Sequence, residues 1–411
     1  MARILAYTSP SRGDLYPVVP VLAELRARGH DIAVRTLASA VPTMQELGFD
    51  AAPVARQIES IAHDDYKAWN PSGAIKRSLR VFARRAEFEQ ADLSAALGEE
   101  SPDAVLVDFN CWGAAAVAER AGIAWGRWCS YPLPLPSRDV PPFGPGLPPA
   151  RGPLGRLRDR ALSPVITGGF ERVIVPQVNE VRTRQGLAPL SGITGIVTSA
   201  PLVLSMTAEP FEYPRSDWPS SVRLIGPCAW DPPAAPPPWL DQVGRPVVLV
   251  TTSSEYQDDG RLVQVALEAL ADEPFQVVAT VPAGAGTFEV PANAHVAEAL
   301  PHAAILRYAA CAVTHGGMGA TQKALAYGVP VCVVPFGRDQ HEVARRVENA
   351  GAGVRLPKRR LRSGNAAGAL RNAVTAAMAR ADGARAVAAA FEHAGNGPAG
   401  ADAVEQTLLV T

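Results

Sequence analysis

The segment 310–340 constrains the fold of this chain more than any other part of the sequence. It contains an apolar run at 311–313, a glycine cluster, a helical pattern over 320–327 and a second apolar run at 331–334. Strand, tight turn, helix and strand in this order are typical of one unit of a parallel α/β sheet. Ligands bind beyond the carboxyl ends of the strands in such sheets. The segment therefore predicts an α/β fold with a ligand site at that edge.

The glycine cluster at 316–319 allows the backbone to turn sharply and to approach a bulky ligand closely. The amides that follow it begin a helix and have no partners within that helix, which favours an anion such as a diphosphate. His315 adds a side-chain donor, and Asp339 and Gln340 at the second turn offer the groups that sugar hydroxyls need. The alternative is a glycine-rich turn beside a buried histidine. The pair at Asp339 and Gln340 favours the ligand site.

The stretch THGGMGATQKALAYGVPVCVVPFGRDQ, residues 314–340, resembles the donor-sugar signature of nucleotide-sugar-dependent glycosyltransferases with the GT-B fold. More narrowly, it is similar to the bacterial branch that glycosylates antibiotics and other small natural products. The resemblance implies two Rossmann-like α/β domains whose parallel sheets face a central cleft. It also implies an inverting transfer from a UDP- or TDP-sugar to a hydrophobic small-molecule acceptor, such as a secondary metabolite. The nucleotide sugar is then a co-substrate, and no cofactor or metal is expected.

A proline-rich spacer divides the chain, and such spacers are extended and semi-rigid. With the resemblance, it predicts an acceptor-binding domain over residues 1–225, a linker over 226–245 and a nucleotide-sugar-binding domain over 246–392. Residues 393–411 are expected to form a terminal helix that returns to the amino-terminal domain, as is common in this fold.

The resemblance implies that the donor site lies in the carboxyl-terminal domain. Ala320 stands where the family often has a threonine, so the backbone amide is kept and one hydroxyl is not. Ala299 stands where the family often has a tryptophan under the base, which leaves the identity of the base open. The residues expected to bind the donor are Gly13, Ser253, Ser254, His302, His315, Gly317, Met318, Gly319, Ala320, Thr321, Asp339 and Gln340.

Asp14 and His315 are the residues expected to take part in the chemistry. Asp14 lies in the loop SRGDLYP after the first strand, where many relatives have a histidine as general base, and the loop is similar to an aspartate-bearing variant. A carboxylate of ordinary pKa is a weak base for an alcohol, so burial would have to raise that pKa. The alternative for Asp14 is a structural role as a helix cap or in the loop. Asp108, after another buried strand, either raises the pKa of Asp14 or caps the helix that begins near Cys111.

A proline-rich loop, residues 131–153, is too dense in proline for regular structure. Long irregular loops in compact domains are usually functional or mobile, so we expect this one to form a wall or lid over a large apolar acceptor. The alternative is a passive surface loop. The residues expected to bind the acceptor are aromatic, namely Tyr16, Trp69, Trp112, Trp128, Tyr131 and Phe143.

Composition excludes several other classes of protein. A net charge of −1 argues against nucleic acid or an anionic membrane as the main partner. The five cysteines form no CxxC pair and predict buried thiols in a reducing cytoplasm. We expect no signal peptide before the first strand, and no apolar stretch of about 18 residues is present to span a bilayer. The glycine pattern lacks GxGxxG, which disfavours NAD-dependent oxidoreductases.

Two rival functions remain open at the level of sequence. One is a catalytically weakened helper or binding protein of a glycosyltransferase pair, and the other is a GT-B-fold epimerase or hydrolase that acts on a nucleotide sugar. The sequence also leaves open whether the chain forms a homodimer.

Overall fold

A computed structural model describes residues 1–284 and 286–410 of the 411-residue chain. Seven parallel strands of the described residues form the first sheet, in the order β3-β2-β1-β4-β5-β6-β7. These strands are β1 (Arg3–Tyr7), β2 (Asp31–Thr36), β3 (Asp50–Pro53), β4 (Ala104–Asp108), β5 (Ala124–Cys129), β6 (Leu202–Ser205) and β7 (Val222–Leu224).

The second sheet is also parallel, and its described strands have the order β10-β9-β8-β11-β12-β13. They are β8 (Val247–Thr251), β9 (Gln276–Thr280), β10 (Ala294–Ala297), β11 (Ala309–Thr314), β12 (Val331–Val333) and β13 (Gly353–Arg355). The α/β architecture with parallel sheets, predicted from the sequence, is confirmed.

Helices connect the strands of both sheets. In the first half they are α1 (Arg12–Leu15), α2 (Val19–Ala27), α3 (Val41–Glu46), α4 (Arg56–Ser60), α5 (Pro71–Glu100), α6 (Trp112–Ala121), α7 (Pro153–Arg184) and α8 (Ile193–Thr198). In the second half they are α9 (Gly260–Leu270), α10 (His302–Leu306), α11 (Met318–Ala326), α12 (Gln340–Asn349), α13 (Ala366–Met378), α14 (Ala381–His393) and α15 (Asn396–Leu408).

Each sheet is buried on both faces, which is why its strands are nearly continuous apolar runs. Successive side chains of a strand point to opposite faces. In β1, Leu5 packs into the core on one face of the first sheet and Ile4 into the core on the other. Val248 and Leu249 of β8 divide between the two cores of the second sheet in the same way. The alternation therefore places helices on both sides of each sheet.

The strand order reverses between β1 and β4 in the first sheet and between β8 and β11 in the second. Crevices form at such switch points, beyond the carboxyl ends of the strands. Asp108 is the last residue of β4, and the segments that follow β1, β8 and β11 carry Asp14, Ser253 and His315. The topology therefore brings most of the expected chemistry to two switch points.

The structure differs from the sequence prediction in two elements. The sequence analysis did not predict β7, which follows β6 and extends the first sheet. It did not predict β10 either, which adds an edge strand to the second sheet. Both strands are three or four residues long and partly exposed, so their apolar pattern is weak.

The carboxyl-terminal helix α15 lies against α2 of the first half. Arg28 at the end of α2 donates a hydrogen bond to Asp402 (Nη1–Oδ1, 2.6 Å), and Cys228 N donates to Asn396 Oδ1 (2.9 Å). The predicted domain boundaries themselves stay a prediction. No helix in residues 1–284 and 286–410 has both the length and the apolar character needed to cross a bilayer.

Candidate functional site

The turn between β11 and α11 leaves backbone donors free. Gly317 is the N-cap of α11, with no side-chain cap, and the amide of Thr321 is the first to bond within the helix, to Gly317 O (3.1 Å). The first amides of a helix have no intrahelical acceptor, so those of Met318, Gly319 and Ala320 point out of its end. Together with the positive end of the helix dipole they form a site suited to an anion.

His315 lies at this turn and is 6% exposed. Burial lowers its pKa to about 4, against the effect of the Thr251 carbonyl, so the imidazole is neutral near pH 7. Its Nδ1 is 3.5 Å from Thr251 O, and since a carbonyl only accepts, that contact places the ring proton on Nδ1. The other nitrogen, Nε2, lies beside the helix end, 2.4 Å from where a Cβ on Gly317 would stand.

Thr321, expected to bind the donor, has its hydroxyl in the protein interior. Its Oγ1 is 3.0 Å from Thr314 Oγ1, and the residue is fully buried. The side-chain part of that expectation is wrong for this structure, because the hydroxyl ties α11 to the end of β11.

The loop after β8 is held together by its own polar groups. Ser253 N donates to Asp259 Oδ2 (2.7 Å), and Ser253 Oγ accepts from Gln257 Nε2 (2.8 Å). Ser253 is buried, whereas Ser254 is exposed. Of the two serines expected at the donor site, Ser254 has the freer side chain.

Asp339 and Gln340 begin α12 but differ in how free they are. Asp339 is the N-cap, its side chain makes no capping bond, and burial raises its pKa to about 6. Gln340 is 1% exposed, and its Oε1 accepts from Phe336 N (2.7 Å) and Gly337 N (3.0 Å). Its Nε2 donates to Gln257 Oε1 (2.7 Å). Contrary to expectation, the Gln340 amide closes its own turn and is not free for a sugar.

Asp14 lies in the short helix α1 and is partly exposed. Its Oδ1 accepts a hydrogen bond from Ser130 Oγ (2.5 Å), and its carbonyl accepts one from Trp128 Nε1 (2.9 Å). Burial raises the pKa of Asp14 well above its ordinary value, the charge of Asp108 adds to this, and the bond from Ser130 opposes it. The N-cap of α1 is Ser11, so Asp14 is not the cap of that helix.

Asp108 is 1% exposed and fully engaged. Its Oδ2 accepts from both the amide (3.0 Å) and the hydroxyl of Ser9, and its Oδ1 accepts from Asn110 N (3.0 Å). The N-cap of α6 is Cys111, whose amide bonds Asp108 O at 2.9 Å. The Asp108 side chain therefore fixes the loops around Asp14 and raises the pKa of that residue, and it does not cap α6.

Three of the aromatic side chains expected at the acceptor site are either buried in the core or fully exposed. Trp128 is fully buried and Trp112 is 4% exposed, with its ring 5.7 Å from Phe82, so both belong to the core. Trp69 is 99% exposed. Trp128 lies in β5, Trp112 begins α6 and Trp69 lies on the surface before α5, and aromatic character alone does not distinguish these places from a binding site.

The other three aromatic residues are partly exposed. Tyr131 donates through its hydroxyl to Asn110 Oδ1 (2.9 Å), next to the Asp108 turn. The rings of Tyr16 and Trp230 are 5.1 Å apart, and those of Phe143 and Phe170 are 6.5 Å apart. Their contact with an acceptor stays a prediction.

His302 and Gly13 complete the expected set. His302 Nε2 is 2.9 Å from Thr280 Oγ1, and burial lowers the pKa of His302 to about 4. Its imidazole is therefore held at the end of β9. Gly13 is exposed in α1, next to Asp14.

The sequence analysis missed two residues of the site. Ser130 directly follows β5, so a search for polar residues at strand ends would have found it beside Asp14. Arg338 precedes Asp339, and its side chain binds Asp65 of the first half and Glu255 of the second. No pattern in the sequence indicates that contact, because its partners are far apart along the chain.

The chain is similar to known proteins in both sequence and fold. Residues 264–404 match the family model of the erythromycin biosynthesis protein CIII-like C-terminal domain. The chain is 36% identical over 375 residues to 4'-demethylrebeccamycin synthase of Lentzea aerocolonigenes, covering 88% of this chain and 89% of that one. It is 34% identical over 313 residues to a PGL/p-HBAD biosynthesis rhamnosyltransferase of Mycobacterium bovis, covering 72% and 66%.

Solved structures share the fold. The calicheamicin glycosyltransferase superposes with a TM-score of 0.72 at 20% identity, covering 99% of this chain and 98% of that one. The glycosyltransferase VinC in complex with dTDP superposes with a TM-score of 0.68 at 20% identity, covering 99% of both chains.

The protein has the GT-B fold, and its glycine-rich turn before α11 lies at a switch point of the second sheet. It belongs to the glycosyltransferase family of natural-product biosynthesis, whose members include the rebeccamycin enzyme. It is accordingly an enzyme, a glycosyltransferase.

Proposed function

We propose that this glycosyltransferase moves a sugar from a TDP- or UDP-sugar to a hydrophobic small-molecule acceptor, with inversion at the anomeric carbon. The observation that carries the proposal is the end of α11, where the amides of Met318, Gly319 and Ala320 are free beside His315. Three main-chain donors suit the linked phosphates of such a donor, and the imidazole adds a fourth once its Nε2 has taken up a proton. A relative of the same fold is known in complex with dTDP, which supports TDP as the first choice.

Asp14 is the proposed general base. It lies in the segment that follows β1, at the switch point of the first sheet. Burial, the main cause of the raised pKa, makes the carboxylate a stronger base than an ordinary aspartate. Ser130 holds the carboxylate in one orientation.

In the proposed reaction, an acceptor atom attacks the anomeric carbon while the bond from that carbon to the diphosphate breaks. The acceptor proton passes to the Asp14 carboxylate. The charge that develops on the departing diphosphate is stabilised by the α11 amides, which are already oriented before the reaction. Attack from the face opposite the leaving group inverts the configuration.

The proline-rich loop is proposed to form one wall of the acceptor site. It forms neither helix nor strand over residues 130–152 and carries Tyr131 and Phe143. Tyr131 lies next to Asn110 and the Asp108 turn, beyond the carboxyl end of β5, and Asp14 follows the carboxyl end of β1 at the same edge of the sheet. We also propose that the enzyme works in a reducing compartment, supported by five cysteines that are all buried and free.

The proposal is tested first by binding and transfer. We expect TDP or UDP to bind the protein in a calorimetric titration, and we expect a TDP- or UDP-sugar to give a glycoside of a phenolic probe such as 4-methylumbelliferone. Proton NMR of the product then reports the anomeric configuration. A product with retained configuration would contradict inversion. Absence of nucleotide binding would favour a helper protein.

The general base is tested with Asp14→Asn. We expect transfer to fall by about 10²–10⁴-fold, since this is what a positioned base contributes, while nucleotide affinity stays unchanged. Asp382→Asn, the same chemical change at a side chain that is 97% exposed, is the matched control and should transfer like the wild type. Unchanged turnover in Asp14→Asn would remove Asp14 from the mechanism.

A further inference from the structure

One carboxylate of the second half holds the proline-rich loop of the first half. Glu342 in α12 accepts two hydrogen bonds at Oε1, one from Gly144 N and one from Gly146 N, both at 2.8 Å. Arg345 of the same helix donates from Nε to Gly146 O at 3.0 Å. The backbone of the loop is therefore hydrogen-bonded to side chains of α12.

The carboxylate of Glu342 is held in place by a buried ion network. Its Oε2 accepts from Arg346 Nη1 at 2.9 Å. Arg346 in turn makes two bonds to Glu212 of the first half, from Nε to Oε2 (2.9 Å) and from Nη2 to Oε1 (2.8 Å). Glu342 is 3% exposed, and Arg346 and Glu212 are each 1% exposed. A chain of charged contacts thus begins at Glu212 and ends at the loop, with α12 in the middle.

The loop is shaped to fit this contact. Gly146 has a φ of +63°, in the left-handed region that favours glycine. A Cβ at Gly146 would stand 2.3 Å from His341 O of the same α12 turn, a distance at which the backbones would have to separate. The site accepts no side chain at this position, so the close approach of the loop to α12 is built into the sequence.

We propose that Glu342 is a positioning residue for the acceptor: it fixes the proline-rich loop to the helix that begins at the donor-side residues Asp339 and Gln340. The wall of the acceptor site is then complete only when the first and second halves are close enough for Glu342 to bond the loop. This inference rests on the proposed function in one respect, that the loop contacts the acceptor. It adds that the donor half supplies the residue that sets the position of the loop.

The first measurement needs no substrate. Hydrogen exchange of the peptides that cover residues 140–150 reports whether the loop is held. In Glu342→Gln the side chain that accepts the two hydrogen bonds from the loop loses its charge. In Gly146→Ala the new methyl group pushes the loop away from α12. We expect exchange at the loop amides to rise by about ten-fold or more in both variants, since hydrogen bonds to charged groups are among the stronger ones. Unchanged exchange in Gly146→Ala would show that the contact with α12 does not hold the loop, and it would overturn the proposal.

The second measurement separates positioning from general stability. With 4-methylumbelliferone as acceptor and a TDP-sugar as donor, we expect the acceptor KM to rise by about ten-fold in both variants. The Kd of TDP should stay within about two-fold of the wild type, because no bond to the α11 amides changes. Glu268→Gln, an exposed carboxylate on α9 of the same half, is the matched control and should change neither value. An unchanged acceptor KM, or a loss of TDP affinity as large as the rise in KM, would overturn the proposal.

The double variant Glu342→Gln/Gly146→Ala tests whether the two residues act through one contact. If they do, the acceptor KM of the double variant is no higher than that of the worse single variant. If the rise in acceptor KM of the double variant is the product of the two single rises, the residues act independently, which would contradict a single contact. The proposed function fails separately, through absent nucleotide binding in the wild type, and the exchange experiment still decides whether Glu342 holds the loop.

Discussion

Arg338 of the second half bonds Asp65 of the first half through two parallel contacts, Nε to Oδ2 and Nη2 to Oδ1, both at 2.9 Å. The same guanidinium donates from Nη1 to Glu255 Oε2 at 2.6 Å. Arg338 has a φ of +50°, which is uncommon for a residue with a side chain and carries a cost in backbone energy. This strained residue directly precedes Asp339, so the bridge between the halves lies beside the proposed sugar site.

Asp65→Asn should loosen this bridge, because the amide keeps the shape of the carboxylate and loses its charge. Charge-assisted bidentate bonds of this kind contribute about 1.5–3 kcal/mol, so we expect hydrogen exchange to rise by about ten-fold or more in segments 61–68 and 254–258. The control is its neighbour, Asp64→Asn, whose partner Arg77 lies in the same half and is 41% exposed. Equal effects of both variants on segment 254–258 would show that the bridge does not connect the halves.

The sequence predicted the architecture because burial on both faces of a parallel sheet leaves a direct signal. The run 247–250, for example, is apolar throughout and makes up all of β8 except its last residue, Thr251. The same reasoning missed β10, whose four residues are all partly exposed and include His295. A short edge strand gains its hydrogen bonds from a neighbour and needs little apolar surface, so its own sequence does not reveal it.

The candidate site was predictable where the backbone supplies the chemistry and less so where side chains do. The free amides at the start of α11 follow from the glycine cluster alone. By contrast, Gln340 is engaged by Phe336 N, Gly337 N and Gln257, and Trp128 is in the core with only its Nε1 near Asp14. Such hydrogen bonds and packing contacts depend on which residues the fold brings together, and the spacing of residues along the chain does not reveal them.

Ser130→Ala should shift the pH dependence of transfer. The hydrogen bond from Ser130 Oγ favours the ionised form of Asp14 and lowers the pKa of that group, so its removal raises this pKa further. A general base must be ionised, and the acidic limb of the kcat/KM profile should therefore move to higher pH. The measurement is kcat/KM against pH for both proteins. A parallel loss of rate at every pH would instead indicate that Ser130 acts only on the orientation of Asp14.

Donor binding should take up a proton at His315. In the protein without a donor, burial lowers the pKa of His315 to about 4. A bound diphosphate favours the imidazolium, so the pKa of His315 is higher in the complex. Between these two values binding consumes protons, and the affinity for TDP should increase as the pH falls from about 7 to about 5. Titration calorimetry in two buffers of different ionisation enthalpy measures the uptake. TDP itself titrates in this range, and His315→Gln is the control that subtracts its contribution. Equal uptake by wild type and His315→Gln would contradict the role of His315.

Two glycines of the same turn offer a matched test of the anion site. A Cβ at Gly317 would stand 2.4 Å from His315 Nε2, whereas a Cβ at Gly319 would meet no atom within 4 Å. Gly317 has an ordinary φ of −62°, so Gly317→Ala introduces no backbone strain and acts by displacing the imidazole.

We expect Gly317→Ala to weaken TDP binding by about ten-fold or more, since a displaced donor beside the phosphates loses a charge-assisted bond. Gly319→Ala should bind TDP as the wild type does and should unfold at an equal or higher temperature, because alanine is favoured over glycine in a helix by about 1 kcal/mol. Calorimetry and thermal denaturation measure the two quantities. Equal weakening by both substitutions would mean that the turn responds to any added methyl group, and the specific contact between His315 and the helix end would then not explain donor binding.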